Sequence, residues 1–291
     1  MKKMILLTAL SLILTVGLLA EDLRLDIVFS NDVHGGIDRS EATFMNPDFP
    51  PQLGGGASAA TLIKHIRSLS GTKRDMLLFD AGDFFQGRPV GTVTKGRAVI
   101  EYMNAIGYDA MTIGNHEFDI MNDELMETLD YANFPILSCN IIDRRTGDLP
   151  WYVVPYRIIS RLGLRIGVIG FTTTDTEKMS FPEHIKNIEF LDEKDTVAKY
   201  VKLVREQERA DIVIVLGHAG LPYEVEATYL SRYDAAGNPL QQERYAAWGW
   251  DAQEIAREVP GIDLFVGGHI HKGWPEPWID PHIHTMVVQG Y

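Results

Sequence analysis

The 291-residue chain is 45% hydrophobic and 23% charged, with 26 glycines and 14 prolines. That composition gives an ordinary globular protein room for a sizeable core, and it excludes fibrous, collagen-like and wholly disordered chains. Forty acidic residues against 27 basic ones give a formal charge of −13 with no compensating Lys/Arg-rich run, which argues against a binder of duplex nucleic acid and means that metal ions must supply the positive field if the protein handles anions.

Lys2 and Lys3 precede an apolar run from Met4 to Leu19, and polar chain resumes at Glu21. This is the charged and apolar pattern of a secretory signal, expected over residues 1–20, with cleavage after Ala20 or Gly17, or retention as an uncleaved anchor. The run is short for a membrane span, which takes about 20 residues, and no second apolar stretch is long enough to be one. The expected location is periplasmic or secreted.

Beyond it, short runs rich in Ile, Val and Leu read as buried strands: Leu25 to Phe29, Met76 to Phe79, Ala110 to Ile113, Ile136 to Leu137, Ile166 to Ile169, Ile212 to Leu216, Leu264 to Val266 and, at the end, Thr285 to Gln289. Between them Ala57 to Leu69, Ala98 to Ile106, Asn122 to Tyr131, Thr196 to Glu208 and Ala252 to Glu258 carry apolar residues near a 3.6 period. The alternation argues for an α/β sandwich. One stretch breaks the rhythm. Leu221 to Asp251 is longer than ordinary connections and holds Tyr223, Tyr229, Tyr233, Tyr245, Trp248 and Trp250. Those rings either pack onto the domain or form a lid that stacks on a base or sugar.

Five strand-like runs end in ligand-type residues: Asn31-Asp32-Val33-His34, Gly82-Asp83, Gly114-Asn115-His116-Glu117, Gly217-His218 and Gly267-Gly268-His269-Ile270-His271. Each alone is weak, because Asp and Asn are favoured in turns and helix caps. Together they are hard to explain by coincidence, because ligand sites of open α/β sheets form outside the carboxyl ends of the strands. With Cys139 the single cysteine, neither an intramolecular disulfide nor a Cys-based zinc cluster can form. Asp32, His34, Asp83, Asn115, His218, His269 and His271 exceed the needs of one tetrahedral centre and suit two ions sharing a bridging carboxylate. Asp119, three residues after His116, can orient that imidazole.

At these residues the chain resembles the calcineurin-like metallophosphoesterases, and within them the secreted 5′-nucleotidase and UDP-sugar hydrolase family. The matching pieces are NDVHG at 31–35, GDFFQG at 82–87, GNHEFD at 114–119, GHAG at 217–220 and GGHIH at 267–271. The resemblance implies a four-layer αββα sandwich over residues 21–291. It also implies a first metal on Asp32, His34, Asp83 and His271, a second on Asp83, Asn115, His218 and His269, and a His116–Asp119 pair that stabilises the transition state or assists the leaving group. Mixed His and carboxylate ligation suits divalent Mn, Zn, Co or Fe better than Ca, and the substrate implied is a small-molecule phosphate ester, a nucleotide, with nucleoside diphosphate sugars as a second class. The family's second domain, with its aromatic stack for the nucleobase, has no counterpart in these residues, so a C-terminally truncated chain is expected. Related families put the same core to cyclic-nucleotide phosphodiesterase or thiosulfohydrolase chemistry, and an inactive metal-binding or interaction fragment is the reading of another class.

His282 and His284, His65 and His184 match no motif and are read as surface or packing residues. Cys139 is read as a small buried residue, and Gly54 to Gly56 as a tight turn before a helix.

Overall fold

The strands that the apolar runs announce fall into two sheets. The computed structural model describes residues 22–240 and 248–290, so the expected signal segment and Tyr245 lie outside the described residues. The first sheet holds β1 (Arg24–Ser30), β2 (Arg74–Asp80), β3 (Ala110–Thr112) and β4 (Ile136–Leu137), all parallel and in that order. The second holds β5 (Tyr156–Arg161), β6 (Leu164–Phe171), β7 (Ile212–Gly217), β8 (Leu264–Gly267), β9 (Trp278–Ile279) and β10 (Met286–Gln289), in the order β9-β10-β8-β7-β6-β5. Its central four strands are parallel, and the two edges are antiparallel.

A strand covered on both faces can be apolar at every position, which is why these runs do not alternate. Alternate residues nevertheless go to different cores. Leu77 and Phe79 of β2 face the second sheet with Ile166, Val168, Ile214, Leu216 and Val266. Met76 and Leu78 face outward onto helices, as Val213, Val215 and Phe265 do on the other side.

Helices α1 (Gly55–Ser68), α2 (Arg97–Ile106) and α3 (Asn122–Leu129) flank the first sheet, and α4 (Glu193–Glu206) and α6 (Ala252–Glu258) the second. Val99, Ile100, Met103 and Ile106 form the buried stripe of α2, and Val197, Val201 and Val204 that of α4. Asp251 and Glu254 form a reciprocal capping box on α6. The result is the four-layer αββα sandwich.

Two findings differ from the sequence reading. The edge strands β5 and β9 fall outside the apolar runs. The segment from residue 221, read as one long connection, contains α5 (Val225–Arg232), and an Arg232–Asp251 ion pair at 2.6 Å ties the end of that helix to the segment's last residue. Tyr229 and Tyr233 are buried in the second sheet's outer core, with Tyr229 5.6 Å from Trp278. Trp250 donates to Asp192 at the cap of α4. Packing therefore accounts for these three rings, while Tyr223 and Trp248 remain exposed beside a cavity of about 1000 Å³ that reaches Asp175 and His269. Among the described residues no helix is long and apolar enough to cross a membrane.

The inter-sheet core sets the spacing of the two sheets. Leu77→Ala, at a position with no exposed surface, is expected to cost about 2–5 kcal/mol in urea unfolding, against less than about 0.5 for Leu62→Ala on the open face of α1.

Candidate metal centre

Parallel pairing puts the carboxyl ends of β1, β2, β3, β7 and β8 at one edge of the sandwich, and every ligand-type motif follows one of those ends. Pairing continues past the strands: Asp32 N–H donates to Gly82 O, His34 N–H to Asp83 O and Gly35 N–H to Phe84 O, at 2.8–2.9 Å. The first two motif loops are thereby held in register with each other. Gly82, at φ 93°, and Gly114 let the second and third loops touch: a Cβ on Gly82 would meet Gly114 N at 2.7 Å, and one on Gly114 would meet Asp83 Oδ1 at 2.1 Å.

The structure brings all seven ligand-type residues together in two groups. Asp32, His34, Asp83 and His271 offer donor atoms within 4.8 Å of one another, and so do Asp83, His218 and His269. Asn115 joins the second group, its Oδ1 lying 3.1 Å from His218 Nε2 and 2.9 Å from His269 Nδ1. In the first group His34 Nε2 and His271 Nε2 face each other at 2.9 Å, and Asp32 Oδ1 is 3.3 Å from His271 Nε2.

Asp83 is common to both groups. Its Oδ1 accepts from the backbone N–H of His116 at 2.9 Å. Its Oδ2, fully buried, has no hydrogen-bond partner and lies 3.0 Å from His218 Nε2 and 3.9 Å from His34 Nε2. Burial opposes ionisation of this carboxyl, but the charge on His218 outweighs it and holds Asp83 well below the usual carboxylate range. An orphaned buried oxygen ringed by imidazoles, an amide oxygen and a second carboxylate fits divalent cations chemically.

The imidazoles are oriented as candidate ligands. His34 Nδ1 meets Gln86 O at 2.5 Å and His218 Nδ1 meets Ala81 O at 2.7 Å, so each backbone carbonyl takes the Nδ1 proton and turns Nε2 toward the donor group. Burial opposes the charged form of His218, but the Asp83 charge outweighs it and pushes that imidazole up to about 10, so a cation would have to displace its Nε2 proton. Burial pushes His34 down, and burial with the His218 charge pushes His269 down to about 4, which keeps both neutral at neutral pH. His116 stands outside both groups. Its Nδ1 is 2.5 Å from Asp119 Oδ2, and that bond raises the imidazole above its ordinary value, favouring the protonated form.

Three supporting residues carried no role in the sequence reading. Glu117, fully buried, accepts the backbone N–H groups of Asp83, Phe84 and Gly114 at 2.7–2.9 Å, tying the second loop to the third. Burial and the Asp83 charge push it up to about 8 while those donors pull it down. Asn31 donates to Asp32 Oδ2 at 2.7 Å and accepts from Gly290 N–H at 3.0 Å. Asp175 lies beside His269. The first two sit inside quoted motifs, and Asp175 follows β6 in a run of threonines that matches no ligand pattern. The residues set aside remain outside the centre: His65, His282 and His284 are not buried, His184 Nδ1 contacts Phe118 O at 3.0 Å, and Cys139 is buried, its thiol pushed up by burial.

A two-sheet αββα sandwich with carboxylate, amide and imidazole donors converging at one edge defines a metal-dependent phosphoesterase class, and the chain belongs to the calcineurin-like phosphoesterase family, whose pattern it matches over residues 25–273. It is 33% identical over 253 residues to a snake venom 5′-nucleotidase of Gloydius brevicauda, covering 86% of this chain and 37% of that one. It is also 33% identical to Protein UshA of Escherichia coli, covering 84% and 40%. Among solved structures it superposes on the 5′-nucleotidase precursor from Thermus thermophilus with a TM-score of 0.70 at 27% identity, covering 91% of this chain and 48% of that one. The chain thus spans about two fifths of the length of the curated relatives it matches.

Glu117→Gln replaces an acceptor oxygen with an amide N–H facing backbone donors. Chemical unfolding of the metal-free protein is expected to show a loss of about 1–3 kcal/mol; a change under about 0.5 would mean the strap contributes nothing.

Proposed function

We propose that this protein hydrolyses the phosphate ester of nucleotides with two divalent metal ions, in the manner of a 5′-nucleotidase. Asp32, His34, Asp83 and His271 would hold one ion, and Asp83, Asn115, His218 and His269 the other. The observation that carries this reading is Asp83 Oδ2, a buried acceptor without a hydrogen bond that faces both groups. The 5′-nucleotidase relatives support the nucleotide as substrate, and the Lys2-Lys3 and Met4–Leu19 pattern supports export.

When bound, two such ions lower the pKa of a water and neutralise the phosphoryl oxygens. The chain's own residues do the rest. Glu117 fixes the backbone that carries Asp83, and the His116 backbone N–H fixes the Asp83 carboxylate. The two carbonyls, Gln86 O and Ala81 O, fix the tautomers of His34 and His218. His116, kept protonated by Asp119, is placed to stabilise charge on the phosphoryl group and to give its proton to the leaving oxygen as water oxygen bonds to phosphorus and the ester P–O bond breaks. Asp119 then stabilises the remaining imidazole in one orientation.

Two sets of variants test this with a nucleoside monophosphate as substrate and Mn²⁺ present. Asp83→Asn should lose more activity than His34→Asn or His218→Asn, because it touches both ion sites; equal losses would remove the shared-carboxylate model. His116→Asn should retain metal content while kcat falls roughly 10²- to 10⁴-fold, the range of positioned acid–base groups. A variant that loses its metal would make His116 a ligand, and unchanged kcat would make it a bystander.

A further inference from the structure

The three imidazoles buried most deeply in the metal centre each need a group on the nitrogen that faces away from the ligand atom, since that group decides the tautomer. For His34 and His218 it is a backbone carbonyl. His269 is turned the other way. Its Nδ1 faces Asn115 Oδ1 at 2.9 Å, inside the ligand group, so its outward atom is Nε2, and the carboxylate on that side is Asp175, whose Oδ2 at 3.9 Å is within ion-pair range of the imidazole and beyond direct hydrogen-bond distance.

Asp175 is built for this task. It is 7% exposed and lies just past the end of β6, where it precedes the short helical turn Thr176–Met179. Its other oxygen is already engaged: Oδ1 accepts from Gly249 N–H at 2.7 Å and lies 3.8 Å from Lys178 Nζ. Its own N–H donates to Thr173 Oγ1 at 3.2 Å. One oxygen is thereby anchored and the other presented to the imidazole. With Nδ1 as ligand, His269 must carry its proton on Nε2, and a carboxylate on that side stabilises this tautomer and raises the basicity of Nδ1.

We infer that Asp175 is a positioning residue that fixes the orientation and tautomer of His269 and so strengthens metal binding at the second ligand group. The inference rests on the two-ion reading. It also gives the segment that returns at Gly249 a link to the metal centre, because the same carboxylate holds both.

Asp175→Asn isolates the charge, since an amide oxygen can still accept from Gly249 N–H. Metal-free protein is titrated with Mn²⁺ against a chelating indicator, and its thermal unfolding is recorded without metal. Wild type should bind two ions. Asp175→Asn should weaken one of them about 10- to 100-fold, with the metal-free unfolding midpoint unchanged, and Asp175→Glu should recover part of the loss. Wild-type affinity for both ions in the Asn variant would overturn the inference. So would weakened binding that Glu fails to recover, accompanied by a lowered metal-free midpoint, which is the signature of a structural role. Uptake of fewer than two ions by the wild type would instead remove the two-ion reading itself, an outcome visible before any variant is made.

Discussion

The site depends on a carboxylate in a place where water cannot reach it. Asp83 is 1% exposed, and an isolated charge buried in that way costs several kcal/mol unless opposite charge and hydrogen bonds offset it. One oxygen is satisfied by the His116 backbone; the other receives no hydrogen bond and is left to His218 and to whatever cation the pocket takes. The surroundings follow from that requirement. Glu117 clamps the two loops that meet at Asp83, and a glycine stands at 114 because any side chain there would collide with the carboxylate.

The backbone around the centre is held in conformations that L-residues avoid. Among the described residues nine non-glycine positions have positive φ, and five of them are Asp32, His34, Asp83, His269 and His271. Each costs on the order of 1 kcal/mol. Such strain persists only where neighbouring structure overdetermines it, and here the inter-loop bonds from Asp32, His34 and Gly35 to residues 82–84 do so. Left-handed residues follow β1, β2 and β8, and residues two apart, such as Asp32 and His34, bear on one point.

Much of this was legible in the sequence, for physical reasons. Each motif stands directly after the strand that positions it, so an apolar run followed by Gly, Asp, Asn or His announces both the element and its edge, and parallel pairing supplies the convergence. The supporting residues were less legible because their role is set by tertiary contact: nothing local marks Asp175 as the neighbour of His269, far along the chain, or shows that Glu117 would turn inward to three backbone donors. The edge strand Tyr156–Arg161 is only partly buried along its length, and so lacks the continuous apolar run of the central strands. The aromatic segment was misleading in part, since composition cannot distinguish Tyr229, sunk against Trp278, from Tyr223, which is exposed beside the cavity.

The candidate ligand set is divided across the sandwich. Asp32, His34, Asp83 and Asn115 follow strands of the first sheet, while His218, His269 and His271 follow strands of the second. No loop alone holds a complete set, so the distances between donors are fixed by the apolar layer of Leu77, Phe79, Val168, Ile214, Leu216 and Val266 between the sheets. Coupling follows in both directions. A substitution that lets the sheets shift separates ligands far from it, and ions that bind only the folded arrangement stabilise the sandwich by RT ln(1 + [L]/Kd), about 2.7 kcal/mol at roughly 100 times Kd. For the proposed metal centre, inter-sheet packing and metal affinity would therefore be one thermodynamic property seen from two ends, with the hydrophobic layer belonging to the site as much as its candidate ligands do.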